Sequence, residues 1–323
     1  MRALILTAGL GTRLRPLTRV RAKAAVPVNG EPIVRRVIAW LVRERIDDLV
    51  LNLHHHPASI GAVVGDGLDL GARVRYSWEN PVLGSAGGPR RALQLLLDGQ
   101  DTSAGRSEQP FLLVNGDTLT DLRLDEMVEA HRSSGALVTL ALIRNPRPDA
   151  YGGVLVRDGR VTGFSRRGAG QENFHFIGVQ VADGRAFASL DDGVVAESIA
   201  GLYPTLMSGD RNSVAAHVVD APFSDVGTPA DYLQACLDLA DVEGDRLVSP
   251  SGTTVHPSAR VHRTAIWDRV TVGAGARLDG CIVCDNVTIP EGAHFERCAI
   301  VQHSGAPPED GERVEGALLV KSF

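Results

Sequence analysis

Up to about residue 240, short apolar runs bounded by turn residues alternate with segments of helical periodicity. The apolar runs predict strands at residues 2–6, 49–53, 74–77, 111–114 and 137–143. Between them, "EPIVRRVIAWLVRER" predicts a helix with Ile33, Val37, Trp40 and Leu41 on one face, and "GGPRRALQLLL" predicts another. The polar segment 98–110 predicts a surface excursion. This order favours an α/β fold with a mixed, mostly parallel sheet flanked by helices.

The pattern changes after Gly244, where helical periodicity gives way to short β-like pieces with valine, glycine and proline. There "AIWDRVTVGAGARL" (265–278) repeats as "IVCDNVTIPEGAHF" (282–295), at a spacing of 17 residues that aligns Asp268 with Asp285. This period resembles the hexapeptide left-handed parallel β-helix. "RVEGALLV" (313–320) predicts a last, irregular coil. We therefore predict two domains, 1–244 and 245–323.

Composition excludes several classes of protein. The net charge is −6 without a dense Lys/Arg block, which disfavours a nucleic-acid partner. No stretch approaches about 20 apolar residues and the start lacks a signal-peptide pattern, so we expect a cytoplasmic protein without a membrane partner. The four cysteines all lie after residue 235 and do not make a disulfide scaffold for the chain. Cys281 and Cys298 are 17 residues apart, so we expect them to stack in successive coils rather than bind zinc.

A glycine-rich segment follows the first strand. We call residues 7–23 the glycine loop; it contains Gly9, Gly11 and Arg13 and ends at Lys23. A dinucleotide fingerprint needs a third small residue and a helix, whereas this segment has Leu14 and then Pro16. A Walker P-loop sequence is absent as well. The remaining interpretation is a loop whose backbone N–H groups approach phosphates, with arginine and lysine as cations.

With its continuation, "GLGTRLRPLTRVRAKAAVPVNGEPI" resembles the signature of the sugar-1-phosphate nucleotidyltransferases. Three further segments match that family in order: "ENPVLGSAGGPRRAL", "VNGDT" and "FSDVGTPADYLQA". The resemblance implies a Rossmann-like nucleotidyltransferase fold. It also implies attack by a sugar-1-phosphate oxygen on the α-phosphate of a nucleoside triphosphate, with loss of pyrophosphate.

The resemblance implies roles for the charged residues. Arg13 would hold the leaving part of the triphosphate, and Lys23 the α-phosphate or the incoming phosphate. Asp117 and Asp225 would hold Mg²⁺, and Asp117 is also a candidate catalytic residue. Taken alone, an aspartate in either of these two contexts is more often a turn or cap residue.

The resemblance also implies two groups of ligand-binding residues. The nucleotide-binding group is Leu6, Ala8, Gly9, Gly11, Thr12, Glu79, Gly84, Ser85 and Gly87. The sugar-phosphate group is Tyr151, Gly152, Arg166, Arg167, Gly178 and Glu197. The two arginines depart from the family, because they stand where it carries Glu and Lys, so the substrate can differ from common hexoses. For Glu197, a surface helix glutamate is an equally good interpretation.

These features favour an enzyme that makes an NDP-sugar from a nucleoside triphosphate and a sugar-1-phosphate. The "E…LGSAGG" segment looks more like guanylyltransferases acting on mannose- or heptose-1-phosphate. Uridylyl or thymidylyl transfer to another sugar or cyclitol phosphate stays open, as does a catalytically silent regulatory subunit that binds an NDP-sugar. Acyl transfer by the β-helix is disfavoured because its histidines form no matching motif. We expect the β-helix to serve assembly, as in a homo-oligomer, or to cover the catalytic domain.

Overall fold

A computed structural model describes residues 1–97, 109–168 and 173–323. Nearly all of the predicted surface excursion, residues 98–108, lies outside the described residues. The chain divides into two compact units, one formed by residues 1–9 and 34–224 and the other by residues 10–33 and 225–323. Each unit combines separate stretches of the chain, so the units do not correspond to the two predicted domains. The domain boundary at residue 244 stays a prediction.

The strands and helices follow one another in chain order. The strands up to residue 225 are β1 (Arg2–Leu6), β2 (Pro27–Val28), β3 (Glu31–Pro32), β4 (Asp48–Leu53), β5 (Arg73–Trp78), β6 (Pro110–Asn115), β7 (Thr118–Thr120), β8 (Val138–Arg144), β9 (Gly153–Arg157), β10 (Arg160–Ser165), β11 (Phe174–Asp183), β12 (Val214–Val218) and β13 (Phe223–Asp225). The later strands are β14 (Thr254–Val255), β15 (Arg260–His262), β16 (Ala265–Ile266), β17 (Thr271–Val272), β18 (Arg277–Asp279), β19 (Ile282–Val283), β20 (Thr288–Ile289), β21 (His294–Glu296), β22 (Cys298–Gln302), β23 (Glu312–Glu315) and β24 (Leu318–Ser322). The α-helices are α1 (Ile33–Arg43), α2 (Pro57–Val64), α3 (Gly84–Leu97), α4 (Leu124–Ser134), α5 (Tyr203–Gly209) and α6 (Pro229–Glu243). Within the described ranges, no helix has the length and apolar character needed to cross a membrane.

The first unit is built on a nine-stranded sheet of order β5-β4-β1-β6-β11-β8-β12-β10-β9. The strands from β5 to β6 are parallel, whereas β11 runs antiparallel to both of its main neighbours, so the sheet is mixed. The five predicted strands are confirmed as β1, β4, β5, β6 and β8, each within one residue. The apolar face of α1 is also confirmed, because Val37, Trp40 and Leu41 are at most 4% exposed.

Parallel pairing brings the carboxyl ends of β1 and β6 to one edge of the sheet. Leu6 pairs with Asn115, and the next amide, that of Gly116, donates to the Leu6 carbonyl oxygen at 3.0 Å. Ligands of open α/β sheets bind beyond this edge. The glycine loop begins directly after β1, at this edge.

The second unit contains the C-terminal coils. The predicted 17-residue repeat is confirmed, because Thr254, Thr271 and Thr288 stack in parallel register and two other three-membered rows do the same. Apolar residues such as Leu278 and Ile289 fill the interior. Cys281 and Cys298 stack in it with their Sγ atoms 3.9 Å apart. These stacked small sheets form a parallel β-helix.

The end of the β-helix differs from the prediction of a last coil. Instead, β23 and β24 form an antiparallel pair, and β24 runs antiparallel to β22. The segment 303–311, which contains two glycines and two prolines, reverses the chain after β22. Leu318, Leu319 and Val320 are then buried on the returning strand. The sequence echo at 313–320 therefore reflects similar burial and not another turn of the coil.

Candidate active site

The glycine loop exposes a short stretch of chain between two buried residues. Gly9, Leu10 and Arg13 are exposed, whereas Ala8 and Leu14 are 2% and 0% exposed. The side chain of Thr12 is exposed as well. Backbone N–H groups and a guanidinium in one exposed turn are suited to bind phosphate oxygens.

Gly11 has a conformation that explains the second glycine of the loop. Its φ is 60°, and a Cβ there would lie 2.7 Å from Thr18 Cγ2 and 3.3 Å from Lys23 Cβ. The Thr18 hydroxyl also donates to the Gly11 carbonyl oxygen at 2.9 Å. The loop therefore folds back on itself, and this places Lys23 beside the Gly11 turn.

Asp225 belongs to the same unit as Lys23, although the two are far apart in sequence. Its Oδ1 lies 4.0 Å from Lys23 Nζ, and both side chains are 17% exposed. A Cβ on Gly227 would lie 3.0 Å from Asp225 Oδ2 and 3.3 Å from Arg13 Nη1. The second unit thus brings together three of the predicted residues, Arg13, Lys23 and Asp225, around a glycine that leaves them room.

The "GTPADY" part of the "FSDVGTPADYLQA" segment contains the N-cap residue and the first turn of α6. Thr228 is the N-cap residue, its hydroxyl accepts a hydrogen bond from the Asp231 amide, and the Asp231 carboxylate accepts one from the Thr228 amide. This reciprocal capping fixes where the helix begins. Asp225 lies three residues before this N-cap.

Asp117 lies in the first unit, in the two-residue turn between β6 and β7, and is half-buried. The turn packs against a bulge in β11 at Gly178, whose φ is 79°. A Cβ on Gly178 would lie 2.5 Å from Thr118 Oγ1 and 2.7 Å from Asn115 Nδ2. Gly178 therefore permits the close approach of β11 to the turn that holds Asp117; its predicted contact with the sugar stays a prediction.

Sequence reasoning missed a buried hydrogen-bond chain in the first unit, which we call the Asn52–Glu79 brace. Asn52 Oδ1 accepts from the amides of Thr7 and Ala8 at 2.6 and 3.3 Å, and Asn52 Nδ2 donates to Glu79 Oε1 at 2.7 Å. Glu79 Oε2 accepts from the Leu83 amide at 2.7 Å. Asn52 and Glu79 are 3% and 1% exposed. The brace joins the start of the glycine loop to the segment that precedes α3.

The brace gives Glu79 a defined positioning role, whereas its predicted contact with base or ribose stays a prediction. It also explains Gly88, because a Cβ there would lie 2.5 Å from Glu79 Oε1. The signal for Asn52 in the sequence is a single amide side chain inside the apolar run "DLVLNL". A buried amide needs partners, which suggests a network but does not identify its members.

Removing the brace should destabilise the fold. Asn52→Ala leaves the Thr7 and Ala8 amides and one oxygen of the buried Glu79 carboxylate without the partner that Asn52 supplies, so we expect the free energy of unfolding to fall by about 3 kcal/mol. Urea denaturation measures this change. Asn212→Ala, at an exposed turn, is the control and should change it by less than about 0.5 kcal/mol. Equal losses in the two variants would contradict the assigned role of the brace.

The predicted nucleotide residues at the start of α3 contact the predicted sugar residue Glu197. Ser85 Oγ donates to Glu197 Oε2 at 2.6 Å. A Cβ on Gly84 would lie 2.7 Å from the Ala196 carbonyl oxygen, and one on Gly87 would lie 2.5 Å from that of Val194. These glycines therefore allow segment 194–197 to approach α3, where the Glu197 carboxylate complements the helix N-terminus. Their contacts with nucleotide or sugar stay predictions.

The Tyr151 ring contacts two residues that sequence reasoning missed, His175 and Arg147. Its ring stacks on His175 at a centroid distance of 4.2 Å, and the Arg147 guanidinium lies 4.7 Å from the Tyr151 ring centroid. Burial, together with the charge of Arg147, lowers the pKa of His175 to about 4, so this ring is neutral near pH 7. Arg166 and Arg167 follow β10 and are exposed. Their role in place of the family's Glu and Lys stays a prediction, as does that of Gly152.

The donor chemistry of the two aspartates fits Mg²⁺. This ion takes one or two carboxylates and completes its shell with phosphate oxygens and water. In the described parts of the chain, no group of three or more His, Cys, Asp or Glu side chains could hold a metal by itself.

The chain is similar to several proteins named as sugar-1-phosphate nucleotidyltransferases. It is 28% identical to mannose-1-phosphate guanylyltransferase of Mycobacterium tuberculosis, across 81% of this chain and 68% of that protein. It is 30% identical to D-glycero-alpha-D-manno-heptose 1-phosphate guanylyltransferase of Aneurinibacillus thermoaerophilus, across 74% and 98%. It is 27% identical to UTP–glucose-1-phosphate uridylyltransferase of Synechocystis, across 84% and 72%.

The fold is similar to that of HddC from Yersinia pseudotuberculosis, solved in complex with GMP-PN. The TM-score is 0.61 at 20% identity, across 74% of this chain and 99% of that chain. The sequence profile of the family described as "Nucleotidyl transferase" matches residues 2–242. The protein therefore belongs to the nucleotidyl transferase family.

Proposed function

We propose that this protein transfers a guanylyl group from GTP to mannose- or heptose-1-phosphate, with release of pyrophosphate. The observation that carries the proposal is the convergence of Arg13, Lys23 and Asp225 beside Gly227. Two cations and a carboxylate at an exposed glycine loop form a site for a phosphate chain with its metal ion.

The reaction brings two anions together, so its main requirement is positive charge and alignment of the reacting groups. Lys23 would hold the α-phosphate or the incoming phosphate, and the Arg13 fork would hold the oxygens that leave as pyrophosphate. The N–H groups of Gly9, Gly11 and Thr12 would bind further phosphate oxygens. Leu6 and Ala8, at the start of the same segment, would also contact the nucleotide. Mg²⁺ bound by Asp117 and Asp225 would supply charge neutralisation on the phosphates.

Two observations support guanine as the base. The segment "ENPVLGSAGG" resembles guanylyltransferases, and two of the three relatives named above are guanylyltransferases. Relatives that act on mannose and on heptose phosphate favour a sugar of that type. Arg166 and Arg167 would then bind the sugar phosphate in place of a lysine, together with Tyr151, Gly152, Gly178 and Glu197.

A second candidate is uridylyl transfer to glucose-1-phosphate. It is favoured by the Synechocystis uridylyltransferase, which is similar to this chain at 27% identity, close to the value for the guanylyltransferases. A catalytically silent regulatory subunit is disfavoured because Arg13, Lys23, Asp117 and Asp225 are all present.

One assay separates these candidates. The full chain is incubated with Mg²⁺, each of the four NTPs and a panel of sugar-1-phosphates, and pyrophosphate release is measured. We expect the highest kcat/KM with GTP and mannose- or heptose-1-phosphate, by at least about tenfold over UTP with glucose-1-phosphate. The reverse order would support the uridylyl candidate. A folded sample without turnover on any pair would favour the regulatory subunit. Light scattering of the same sample tests the proposed homo-oligomer.

A further inference from the structure

The second unit contains the glycine loop from Leu10 onward together with the C-terminal coils. The loop has three arginines besides Arg13, and each of them pairs with an acidic residue beyond residue 267. Arg15 Nη1 lies 2.6 Å from Glu309 Oε1, and Arg19 Nη2 lies 3.0 Å from Glu312 Oε2. These cations bind the C-terminal segment, which lies beyond the part of the chain that the family profile matches.

Arg21 makes the strongest of these pairs. Its Nε and Nη2 each donate to the Asp285 carboxylate at 2.7 Å, and Nη2 also donates to Asp268 Oδ2 at 2.6 Å. Asp268 and Asp285 are the equivalent aspartates of successive coils. The Arg21 and Asp285 side chains are only 13% and 7% exposed. A two-pronged, largely buried pair of this kind is stronger and more directional than a surface ion pair.

The charge of Arg21 is secured by these partners. Burial opposes the charged form, but the hydrogen bonds and charges of Asp285 and Asp268 outweigh it, so the pKa of Arg21 is raised above its ordinary value. The guanidinium also lies 5.3 Å from the ring centroid of Trp267, which adds a cation–π contact.

Trp267 holds the chain on the other side of Lys23 as well. Its Nε1 donates to the Tyr232 hydroxyl at 2.8 Å, and that hydroxyl donates to the Pro27 carbonyl oxygen at 2.6 Å. Trp267 and Tyr232 are each 1% exposed. Lys23 therefore lies between two anchors, Arg21 and Pro27, and both reach the same coil at residues 267–268.

We propose that Trp267, Asp268 and Asp285 of the β-helix form a clamp on residues 21–27, which positions Lys23 for phosphate binding, with Arg21 as the positioning residue. The kinetic part of this proposal rests on the proposed function, since it concerns the work of Lys23. An arginine at position 21 is required because its planar fork binds both carboxylates at once, whereas a lysine offers one point charge. The β-helix is then a working part of the catalytic site.

Four variants of the full chain test the clamp, all assayed well below their unfolding temperatures. We expect Arg21→Ala and Asp285→Asn each to lower kcat/KM for the NTP about tenfold, and Arg21→Lys to lower it less. The double variant Arg21→Ala/Asp285→Asn should have the same kcat/KM as the less active of the two single variants, because both changes remove the same contact. Asp279→Asn is the matched control, because it breaks an exposed pair with His262 on the same coils and should leave kcat/KM unchanged.

Amide hydrogen exchange gives a readout that is independent of turnover. The amides of Ala25 and Val26, which close the turn after Lys23, should exchange faster in Asp285→Asn but not in Asp279→Asn. Wild-type exchange and wild-type kcat/KM in Asp285→Asn would overturn the clamp, as would additive losses in the double variant. A wild-type chain without turnover on any substrate pair would instead refute the proposed function, and the exchange measurement would still decide whether the clamp exists.

Discussion

Replacing Lys23 with alanine is expected to lower kcat by about 100- to 1,000-fold while the protein remains folded, because a positioned cation stabilises charge that develops in the transition state. Lys23 is only partly buried and lies 4.0 Å from Asp225 Oδ1, so alanine removes no large apolar contact. Pyrophosphate release at saturating GTP and sugar-1-phosphate measures the effect. Thermal unfolding of the same sample verifies the fold.

The chain offers a well-matched control for this variant. Lys321, in β24, is the only other lysine in the sequence. Lys321→Ala removes the same functional group from a strand outside the glycine loop and should leave kcat within about twofold of the wild-type value. If Lys23→Ala kept near-normal turnover, Lys23 would have no place in the mechanism.

Asp117→Asn and Asp225→Asn should each lower kcat/KM about 100-fold or more, since loss of about 3 kcal/mol of metal-assisted charge stabilisation corresponds to that factor. An amide is a neutral and weaker ligand than a carboxylate for a hard cation. The Mg²⁺ concentration that gives half-maximal rate should also rise in both variants. Titrating the rate with MgCl₂ measures that shift directly.

Asp121→Asn is the control for this pair, because Asp121 is exposed and lies four residues after Asp117. It should show a wild-type magnesium curve. A magnesium curve that is unchanged in Asp117→Asn or in Asp225→Asn would remove that residue from the metal site, whatever the effect of the substitution on kcat.

Much of the first unit follows from local pattern. The five predicted strands were placed within one residue because each is a short apolar run with turn residues at both ends. The α/β fold and the 17-residue repeat were also predicted correctly, because the spacing of apolar residues follows the period of the strand, helix or coil that buries them. The last coil was predicted wrongly, because similar burial patterns can serve a parallel or an antiparallel neighbour.

The candidate site was only partly readable from the sequence. Motifs indicated Arg13, Lys23, Asp117 and Asp225, because each of them lies in a segment that resembles a motif of the family. Asn52 and Arg21 were missed, since a lone amide in a strand or one arginine among many carries no sign of its partner. Their partners lie 27 and 264 residues away.

The sequence by itself therefore determined many of the elements and the repeat, because these depend on nearest neighbours and short periods. Arg13, Lys23, Asp117 and Asp225 stay predictions that rest on the family motifs. Only the tertiary structure decided which distant groups hold those residues in place. Asn52 and Glu79 are buried, and a buried polar group must find its partner wherever the chain brings one. For the same reason, the role of the β-helix beside the glycine loop emerged only when Arg21 was found between Asp268 and Asp285.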